Sequence, residues 1–451
     1  MFIFKKKSKM LFNNLDKVSL NKNILNGNCY IPGDKSISQR AIIMGLISIG
    51  TTKIEGVLDS EDVYHTLKAV ESLGARIKIT KNILNIVGVG LGNYKSPNKP
   101  IYMGNSGTGT RLLIGLVAGS NAKVTFYGDS SLSKRPMERI IRPLARMGAR
   151  FIFNDNIRLP ITVIGAGKRG FTFPIKYNIS VSSAQVKSAI LLAALTARGK
   201  SSITEPSVSR NYTEKMLKER GVHINNSINK SGKNKINIAG LPFLKNRDIN
   251  VPGDPSSAAF IGIACLITKG SKIIIKNVLN DPFRLKIFKI LKKMKGNIKI
   301  IKKNKYLCDI IIQYSKLKNI TVEKKDSTAL IDEYLILSIA AASGKGIMKM
   351  KGLEELRYKE SDRFLAIKEG LIKCGVKVNS KGNDMEIFGS NLIKGGCVIN
   401  AEQDHRVAMS FNILNLISEE PIKILGNKAI LTSFPNFFEL FKKLGKKKNN
   451  G

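Results

Sequence analysis

The chain has 451 residues, 43% of them hydrophobic, and its 75 Lys and Arg against 33 Asp and Glu give a formal charge of +42. That length can bury more than one core, and no apolar run approaches the roughly 20 residues of a membrane-spanning helix, so we expect no membrane association. Five scattered cysteines and three dispersed histidines argue against a disulfide framework and a metal centre.

The N-terminal residues 1–17 form a basic extension whose apolar runs are too short for a signal peptide. Cysteine usage typical of a reducing compartment then predicts a cytoplasmic protein. Lysine, isoleucine and asparagine are used heavily along the whole chain, and no aromatic residues interleave with the basic runs. We therefore expect no nucleic-acid partner, and a basic nucleic-acid-binding protein is kept as an alternative.

The first predicted helix follows a Pro-Gly-Asp segment at residues 32–34. Ser36 or Ser38 is expected to cap this helix, and Lys35 and Arg40 lie beside its N-terminus. Helix N–H groups, the positive end of the helix dipole and two cations together predict an anion site. For one such segment, an ordinary capped helix with solvated charges is the simpler interpretation.

The pattern recurs six times as a polar entry, a nearly uncharged helical run, a break and a short strand. The copies begin near Ser36, Ser106, Ser182, Ser256, Thr328 and His405. Amphipathic helices closed by Gly-containing turns alternate with them, and the last copy, residues 437–445, is truncated. Self-similarity of this size predicts one supersecondary unit used six times, with an inner apolar helix and an outer amphipathic helix in each.

A second Pro-Gly-Asp segment at residues 252–254 divides the chain into two sets of three units. We therefore expect an α/β (α+β) protein of two similar lobes. Lobe 1 is discontinuous and comprises residues 18–33 and 254–451, and lobe 2 comprises residues 34–253, with residues 1–17 as an extension.

Lobe 2 contains four further polar segments suited to binding an anion. Small residues around Gly107 let a ligand approach the backbone closely, and Arg135, in a predicted loop, has the fork geometry for carboxylate or phosphate. Taken by itself, the Gly107 segment is equally well explained as an ordinary tight turn. Arg135, taken by itself, is equally well explained as a solvated cation in a loop. The remaining groups are Ser183, Ala184 and Gln185, which open the third inner helix, and Arg210, which follows the next strand.

Lobe 1 carries the candidate proton-transfer groups. Asp332 and Glu333 interrupt an otherwise apolar helix over residues 328–337, where an unpaired buried charge would be costly. A denser charged segment follows at residues 354–363, in which helical spacing would place charges on one face, as it also would on an exposed salt-bridged helix. The charged groups of interest here and at the last inner helix are Lys359, Glu360, Arg363 and Arg406.

Seven short sequence motifs span nearly the whole chain. Each is a weak signal alone, but the seven in this order are specific for one protein family. They are Pro-Gly-Asp-Lys-Ser-Ile-Ser at 32–38, Gly-Asn-Ser-Gly-Thr at 104–108, Lys-Arg-Pro-Met at 134–137, Ser-Ala-Gln-Val-Lys-Ser-Ala at 183–189, Ile-Asp-Glu-Tyr at 331–334, Lys-Glu-Ser-Asp-Arg at 359–363 and Asp-His-Arg at 404–406. The chain closely resembles the 5-enolpyruvylshikimate-3-phosphate (EPSP) synthase family, the 3-phosphoshikimate 1-carboxyvinyltransferases. The residues of its motifs are more similar to those of the bacterial class that includes glyphosate-tolerant members.

The resemblance implies two lobes, each of three repeated βαβαββ units, in an enolpyruvyltransferase-like inverse α/β barrel that closes over the substrates. It implies a monomeric transferase of the shikimate pathway, which serves aromatic amino-acid biosynthesis. The enolpyruvyl group of phosphoenolpyruvate would move to the 5-hydroxyl of shikimate 3-phosphate through a tetrahedral ketal, releasing phosphate. No cofactor or metal is implied.

By motif match, the resemblance also implies which side chains contact each substrate. Shikimate 3-phosphate would contact Lys35, Ser36, Arg40, Ser183, Ala184, Gln185, Arg210, Asp332 and Lys359. Phosphoenolpyruvate would contact Lys35, Gly107, Arg135, Gln185, Arg363 and Arg406. Asp332 is the expected base for the 5-hydroxyl proton and Glu360 the expected acid for the methylene carbon, while Lys35 stabilises charge and shares the proton transfer.

Two departures from the family pattern bear on the site. Thr432 stands where some relatives carry a lysine, and Gly107 stands where tolerant relatives have alanine, which leaves room for glyphosate and predicts a glyphosate target. The alternative within the same architecture is a UDP-N-acetylglucosamine enolpyruvyltransferase. Such an enzyme would be expected to lack the Lys-Ser-Ile-Ser opening and to carry a reactive cysteine in a mobile loop, a motif in which none of the five cysteines lies.

Overall fold

The computed structural model describes residues 15, 18–154, 156–169 and 171–445. The chain divides into two compact units: unit 1 comprises Met1–Asp34 and Pro252–Gly451, and unit 2 comprises Lys35–Val251. Within the described ranges, no helix is both long and apolar enough to cross a membrane.

The strands and helices are numbered here in chain order. The strands are β1 (Asn26–Tyr30), β2 (Ile49–Glu55), β3 (Arg76–Thr80), β4 (Ile83–Val89), β5 (Ile101–Tyr102), β6 (Lys123–Tyr127), β7 (Arg150–Phe153), β8 (Ile161–Ile164), β9 (Lys176–Asn178), β10 (Lys200–Glu205), β11 (Ile224–Ile228), β12 (Asn234–Ala239), β13 (Ile249–Asn250), β14 (Lys272–Leu279), β15 (Asn297–Lys302), β16 (Leu307–Gln313), β17 (Thr321–Val322), β18 (Ile347–Met350), β19 (Val378–Lys381), β20 (Asp384–Phe388), β21 (Val398–Asn400) and β22 (Lys423–Leu425). The α-helices are α1 (Lys35–Ile47), α2 (Glu61–Ser72), α3 (Gly107–Ala118), α4 (Ser130–Lys134), α5 (Glu138–Arg146), α6 (Ala184–Ala194), α7 (Tyr212–Glu219), α8 (Pro255–Ile267), α9 (Lys286–Lys293), α10 (Ser327–Leu330), α11 (Tyr334–Ala342), α12 (Arg363–Lys373), α13 (His405–Leu414) and α14 (Phe437–Leu444).

One sheet pattern is repeated through both units. Unit 2 contains the sheets β13-β2-β4-β3, β5-β6-β8-β7 and β11-β12-β10-β9, and unit 1 contains β1-β14-β16-β15, β17-β18-β20-β19 and β21-β22. In the sheet that begins with β1, the β1–β14 pair is parallel and the other two pairs are antiparallel. The last sheet keeps only its parallel pair, so the predicted repeat and its truncated final copy are confirmed.

The two helix types occupy different environments, as the hydrophobic pattern predicts. All 13 residues of α8 are buried, whereas α9 buries Ile287, Phe288, Ile290 and Leu291 and exposes lysines on its other face. In unit 2, α3 packs against α1 and α6, and in unit 1, α11 packs against α8 and α13. Inner helices therefore form the core of each unit and bring their N-termini into one region of that unit.

The crossing of α3 and α6 depends on a glycine. A Cβ on Gly115 would lie 2.3 Å from the carbonyl oxygen of Ala189, so the two backbones are in direct contact. We expect Gly115→Ala to lower the free energy of unfolding by about 1–3 kcal/mol, because one of these helices must move.

Urea unfolding, followed by circular dichroism, measures this loss, and Gly45→Ala in α1 is the matched control. A Cβ on Gly45 would lie 3.0 Å from the Cβ of Ile86, a longer contact than the 2.3 Å at Gly115, so its loss should be smaller. Equal losses in the two variants would contradict the close helix crossing.

Candidate active site

The inner helices of unit 2 begin at residues predicted to bind substrate: Lys35 in α1, Gly107 in α3 and Ala184 in α6. Ser106 caps α3 by accepting a hydrogen bond from the Gly109 N–H, and Ser183 caps α6 by accepting one from the Val186 N–H. The N-terminal N–H groups and helix dipoles favour negative charge at these ends.

The predicted capping of α1 by Ser36 or Ser38 is wrong. The helix already begins at Lys35, which places both serines within its first turn. The Ser38 hydroxyl instead accepts a hydrogen bond of 3.0 Å from the Leu58 N–H. Its role is therefore to fix the chain that follows β2.

Lys35 is held by a carboxylate that the sequence did not single out. Its Nζ lies 2.8 Å from Oδ2 of Asp62, at the start of α2, and the lysine side chain is 17% exposed. One turn further along α1, Gln39 Nε2 donates to the Ser106 hydroxyl at 2.6 Å. This hydrogen bond links the starts of α1 and α3. It therefore helps to fix the position of the Lys35 ammonium group relative to Gly107.

Two guanidinium groups surround Gly107. A Cβ at this position would lie 2.8 Å from Nη1 of Arg135 and 2.9 Å from Nη1 of Arg111. Arg111 Nη1 also donates to Gln185 Oε1 at 3.0 Å, and Gln185 Nε2 donates to the Thr108 hydroxyl at 2.9 Å. Gly107, Arg135 and Gln185, all predicted to contact substrate, thus lie close together. Arg111, which was not among the predicted contacts, lies with them.

Arg40 and Arg210 occupy different surroundings. Arg40 is 3% exposed, and its guanidinium donates to the Thr213 and Ser188 hydroxyls at 2.8 and 3.0 Å. It therefore also braces α1 against α6 and α7. Arg210 is half-buried in the segment between β10 and α7.

A buried charge network supports the segment that carries Arg210. Lys187 Nζ lies 2.9 Å from Oε1 of Glu205 and 2.9 Å from Oε1 of Glu214, and none of these three side chains is more than 5% exposed. Glu205 also accepts hydrogen bonds from the backbone N–H and hydroxyl of Ser209, at 3.1 and 2.6 Å. The network fixes the backbone immediately before Arg210.

Unit 1 presents a cluster of carboxylates around one buried guanidinium. Arg363 Nε lies 2.7 Å from Oδ2 of Asp404, its Nη2 lies 2.5 Å from Oε2 of Glu360, and its Nη1 lies 3.5 Å from Oδ1 of Asp332. Burial alone would lower the pKa of Arg363, but Asp404, Glu360 and Asp332 outweigh it and raise that pKa. The two expected proton-transfer carboxylates are therefore both held by Arg363.

The predicted continuous helix over residues 328–337 is wrong in detail. The chain forms α10, a turn at residues 331–333 and then α11, so Asp332 lies in the turn. Arg406 donates from Nη1 to the Asp332 carbonyl oxygen, and its Nε lies 4.0 Å from Oδ1 of that residue. The turn therefore places the Asp332 carbonyl and carboxylate beside the Arg406 guanidinium.

The predicted helical spacing of Lys359 and Arg363 is also wrong. Lys359 has an extended backbone conformation, and α12 begins only at Arg363 because Asp362 caps it by accepting from the Leu365 N–H. Burial lowers the pKa of Lys359, and the Asp332 carboxylate opposes this effect. Lys359 is thus influenced by the charges of Asp332, Glu360 and Arg363. An extended segment, and not the predicted helix, brings it there.

Thr432 lies beside the start of α13. Its hydroxyl is 3.4 Å from Nδ1 of His405 and donates to the Ala429 carbonyl at 2.8 Å. Thr432 is therefore adjacent to His405, the residue before Arg406. Over the described part of the chain, no three His, Cys, Asp or Glu side chains are grouped as a metal ion would require.

Three comparisons with known proteins agree. The family model described as EPSP synthase (3-phosphoshikimate 1-carboxyvinyltransferase) matches residues 21–441. Proteins named 3-phosphoshikimate 1-carboxyvinyltransferase from Zymomonas mobilis and Afipia carboxidovorans are 44% and 41% identical, over 93% of this chain and 94% and 95% of theirs. A solved EPSP synthase from Acinetobacter baumannii is similar with a TM-score of 0.81 at 37% identity, covering 95% of this chain and 97% of that one. The chain therefore belongs to the EPSP synthase (3-phosphoshikimate 1-carboxyvinyltransferase) family.

Proposed function

We propose that this chain transfers the enolpyruvyl group of phosphoenolpyruvate to the 5-hydroxyl of shikimate 3-phosphate and releases phosphate, in the shikimate pathway. Family membership over most of the chain gives the reaction class. The observation that carries the proposal is the arrangement of Asp332 and Glu360 around the buried Arg363. A reaction that removes one proton and adds another to phosphorylated substrates needs such carboxylates beside cations.

The proposed substrate contacts follow the residue types that each unit supplies. The cations and helix N-termini of unit 2 suit phosphate and carboxylate groups, and Asp332 suits a sugar-like hydroxyl. For shikimate 3-phosphate the proposed contacts are Lys35, Ser36, Arg40, Ser183, Ala184, Gln185, Arg210, Asp332 and Lys359. For phosphoenolpyruvate they are Lys35, Gly107, Arg135, Gln185, Arg363 and Arg406, to which Arg111 is added because it contacts Gln185.

In the proposed mechanism Asp332 takes the proton of the 5-hydroxyl as the oxygen attacks C2 of phosphoenolpyruvate. Glu360 protonates the methylene carbon, which gives a tetrahedral ketal, and loss of phosphate and of a methyl proton then forms the product. Glu360 is ion-paired with Arg363, which places the proposed acid beside a cation suited to an anionic substrate.

We further propose that the enzyme acts in the cytoplasm as a monomer, since one chain supplies both sets of residues. The sequences of its motifs support membership of the bacterial class that includes glyphosate-tolerant members. Gly107 nevertheless predicts that this particular chain is sensitive to glyphosate.

Gly107→Ala tests the sensitivity directly. The new methyl group would displace the flexible ends of Arg135 and Arg111, against which it would lie, and would occupy space beside the phosphoenolpyruvate contacts. We expect glyphosate to inhibit the wild-type enzyme at concentrations that spare Gly107→Ala, measured from phosphate release at fixed phosphoenolpyruvate. Gly45→Ala, which lies against Ile86 in α1, should keep wild-type sensitivity, and equal inhibition of all three proteins contradicts the prediction.

The proposed function is tested by phosphate release from phosphoenolpyruvate with the purified full-length chain. We expect catalytic release with shikimate 3-phosphate, and none with phosphoenolpyruvate alone or with UDP-N-acetylglucosamine. Release that depends on the UDP-sugar would replace the proposal with the sister enzyme. A folded chain that releases no phosphate in any mixture would overturn it, and salt-dependent binding to a random DNA duplex would then favour the nucleic-acid alternative.

A further inference from the structure

Two cysteines of unit 1 meet at the C-terminal end of α12. Cys374 is the buried residue that ends this helix, and Cys397 is half-buried and directly precedes β21. Their Sγ atoms are 3.5 Å apart across 23 residues of sequence. A disulfide requires an Sγ–Sγ distance of about 2.05 Å, so an approach of roughly 1.5 Å separates this pair from a covalent bond.

The local backbone explains why the two thiols face each other. Gly395 and Gly396 have φ values of +74° and +65°, and the Gly395 N–H donates to the Cys374 carbonyl at 3.4 Å. A Cβ at Gly396 would lie 2.1 Å from the Glu420 carboxylate. This left-handed turn, which a larger residue would strain, fixes Cys397 against the helix end.

We propose that Cys374 and Cys397 form a redox-sensitive dithiol, which a peroxide converts into an intramolecular disulfide. The more exposed Cys397 reacts first: its sulfur attacks one peroxide oxygen, the O–O bond breaks and a water molecule leaves, which gives a sulfenic acid. Cys374 Sγ then attacks the Cys397 sulfur, and the hydroxyl leaves as a second water with the Cys374 proton. Two thiols are oxidised by two electrons, and hydrogen peroxide is reduced to two waters.

The reactivity of the two thiols fits this order. Burial, and then the neighbouring Cys397, raise the pKa of the Cys374 thiol, which makes it a poor first nucleophile toward a peroxide in solution. Cys374 therefore acts as the resolving thiol. The disulfide would join the end of α12 to the start of β21, two segments already connected by the ion pair between Arg363, at the start of α12, and Asp404, which follows β21.

The test uses the reduced, folded, full-length chain treated with dilute hydrogen peroxide, and it needs no enzymatic activity. After denaturation and alkylation, we expect the number of alkylatable thiols to fall from five to three. Proteolysis and mass spectrometry should identify one cross-linked pair of peptides, containing Cys374 and Cys397, that dithiothreitol separates.

The variant Cys397→Ser should lose this cross-link, whereas Cys308→Ala, which removes a buried thiol from β16, should keep it. Circular dichroism verifies that each variant is folded, and Cys397→Ala serves if the serine variant is not. Five thiols that all survive the treatment overturn the proposal. So do a Cys397 that stops at sulfinic acid with no cross-link, and a cross-link to any other cysteine.

Discussion

Asp332→Asn and Glu360→Gln are each expected to lower the rate of phosphate release by about 10²- to 10⁴-fold, the range over which one general acid or base acts. Each change removes a proton acceptor or donor and keeps the size of the side chain. Asp404, which pairs with Arg363 at 2.7 Å, is unchanged in both variants, so the buried guanidinium should keep a carboxylate partner. The fold should therefore survive, with the loss confined to turnover.

The measurement is the initial rate at saturating substrates, together with urea unfolding of the same samples. Glu386→Gln is the matched control, because Glu386 on β20 forms an exposed ion pair of 3.1 Å with Lys349. It should keep wild-type turnover. If Asp332→Asn or Glu360→Gln turns over at the wild-type rate while folded, that residue is not the base or acid of the reaction.

Lys187→Met is expected to lower the free energy of unfolding by about 3–5 kcal/mol, since it leaves two buried carboxylates without their cation. Glu205 and Glu214 each lie 2.9 Å from the ammonium group. Urea unfolding at neutral pH, followed by circular dichroism, measures the loss.

Two further variants separate this network from a general effect of losing a lysine. Lys200→Met, at the exposed start of β10, should change stability by less than about 0.5 kcal/mol. Adding Glu214→Gln to Lys187→Met should restore part of the stability, because it removes one of the unpaired charges. A Lys187→Met protein as stable as Lys200→Met would show that the network does not hold unit 2 together.

The repeat architecture was predictable because its signals are local. Helices that are apolar all round must be buried, and turns with glycine recur at similar intervals, so the six copies and the truncated last sheet followed from the sequence. Local signals also misled at three places. Ser36 and Ser38 lie inside the first turn of α1 and do not cap it. Asp362 caps α12 at Arg363, and the turn at residues 331–333 splits a run that reads as one helix.

The candidate site was only partly predictable, since its geometry depends on contacts between distant residues. The residue types and the resemblance pointed to Asp332, Glu360 and Arg363, but no sequence pattern shows that Arg363 holds both carboxylates together with Asp404. Arg111 likewise meets Gln185 across 74 residues. Apolar runs in the sequence identify a buried core. A hydrogen bond between polar residues that are far apart in the sequence leaves no periodic pattern from which it could be predicted.

Transfer through a tetrahedral ketal requires that the methylene carbon of phosphoenolpyruvate be protonated during the reaction. Turnover in deuterium oxide, with mass spectrometry of the product, tests it most directly. We predict deuterium in the enolpyruvyl methylene group, because the transient methyl group loses either a hydrogen or a deuterium when phosphate leaves. A product formed with full release of phosphate but without any deuterium would show that this carbon is not protonated, which contradicts the proposed mechanism.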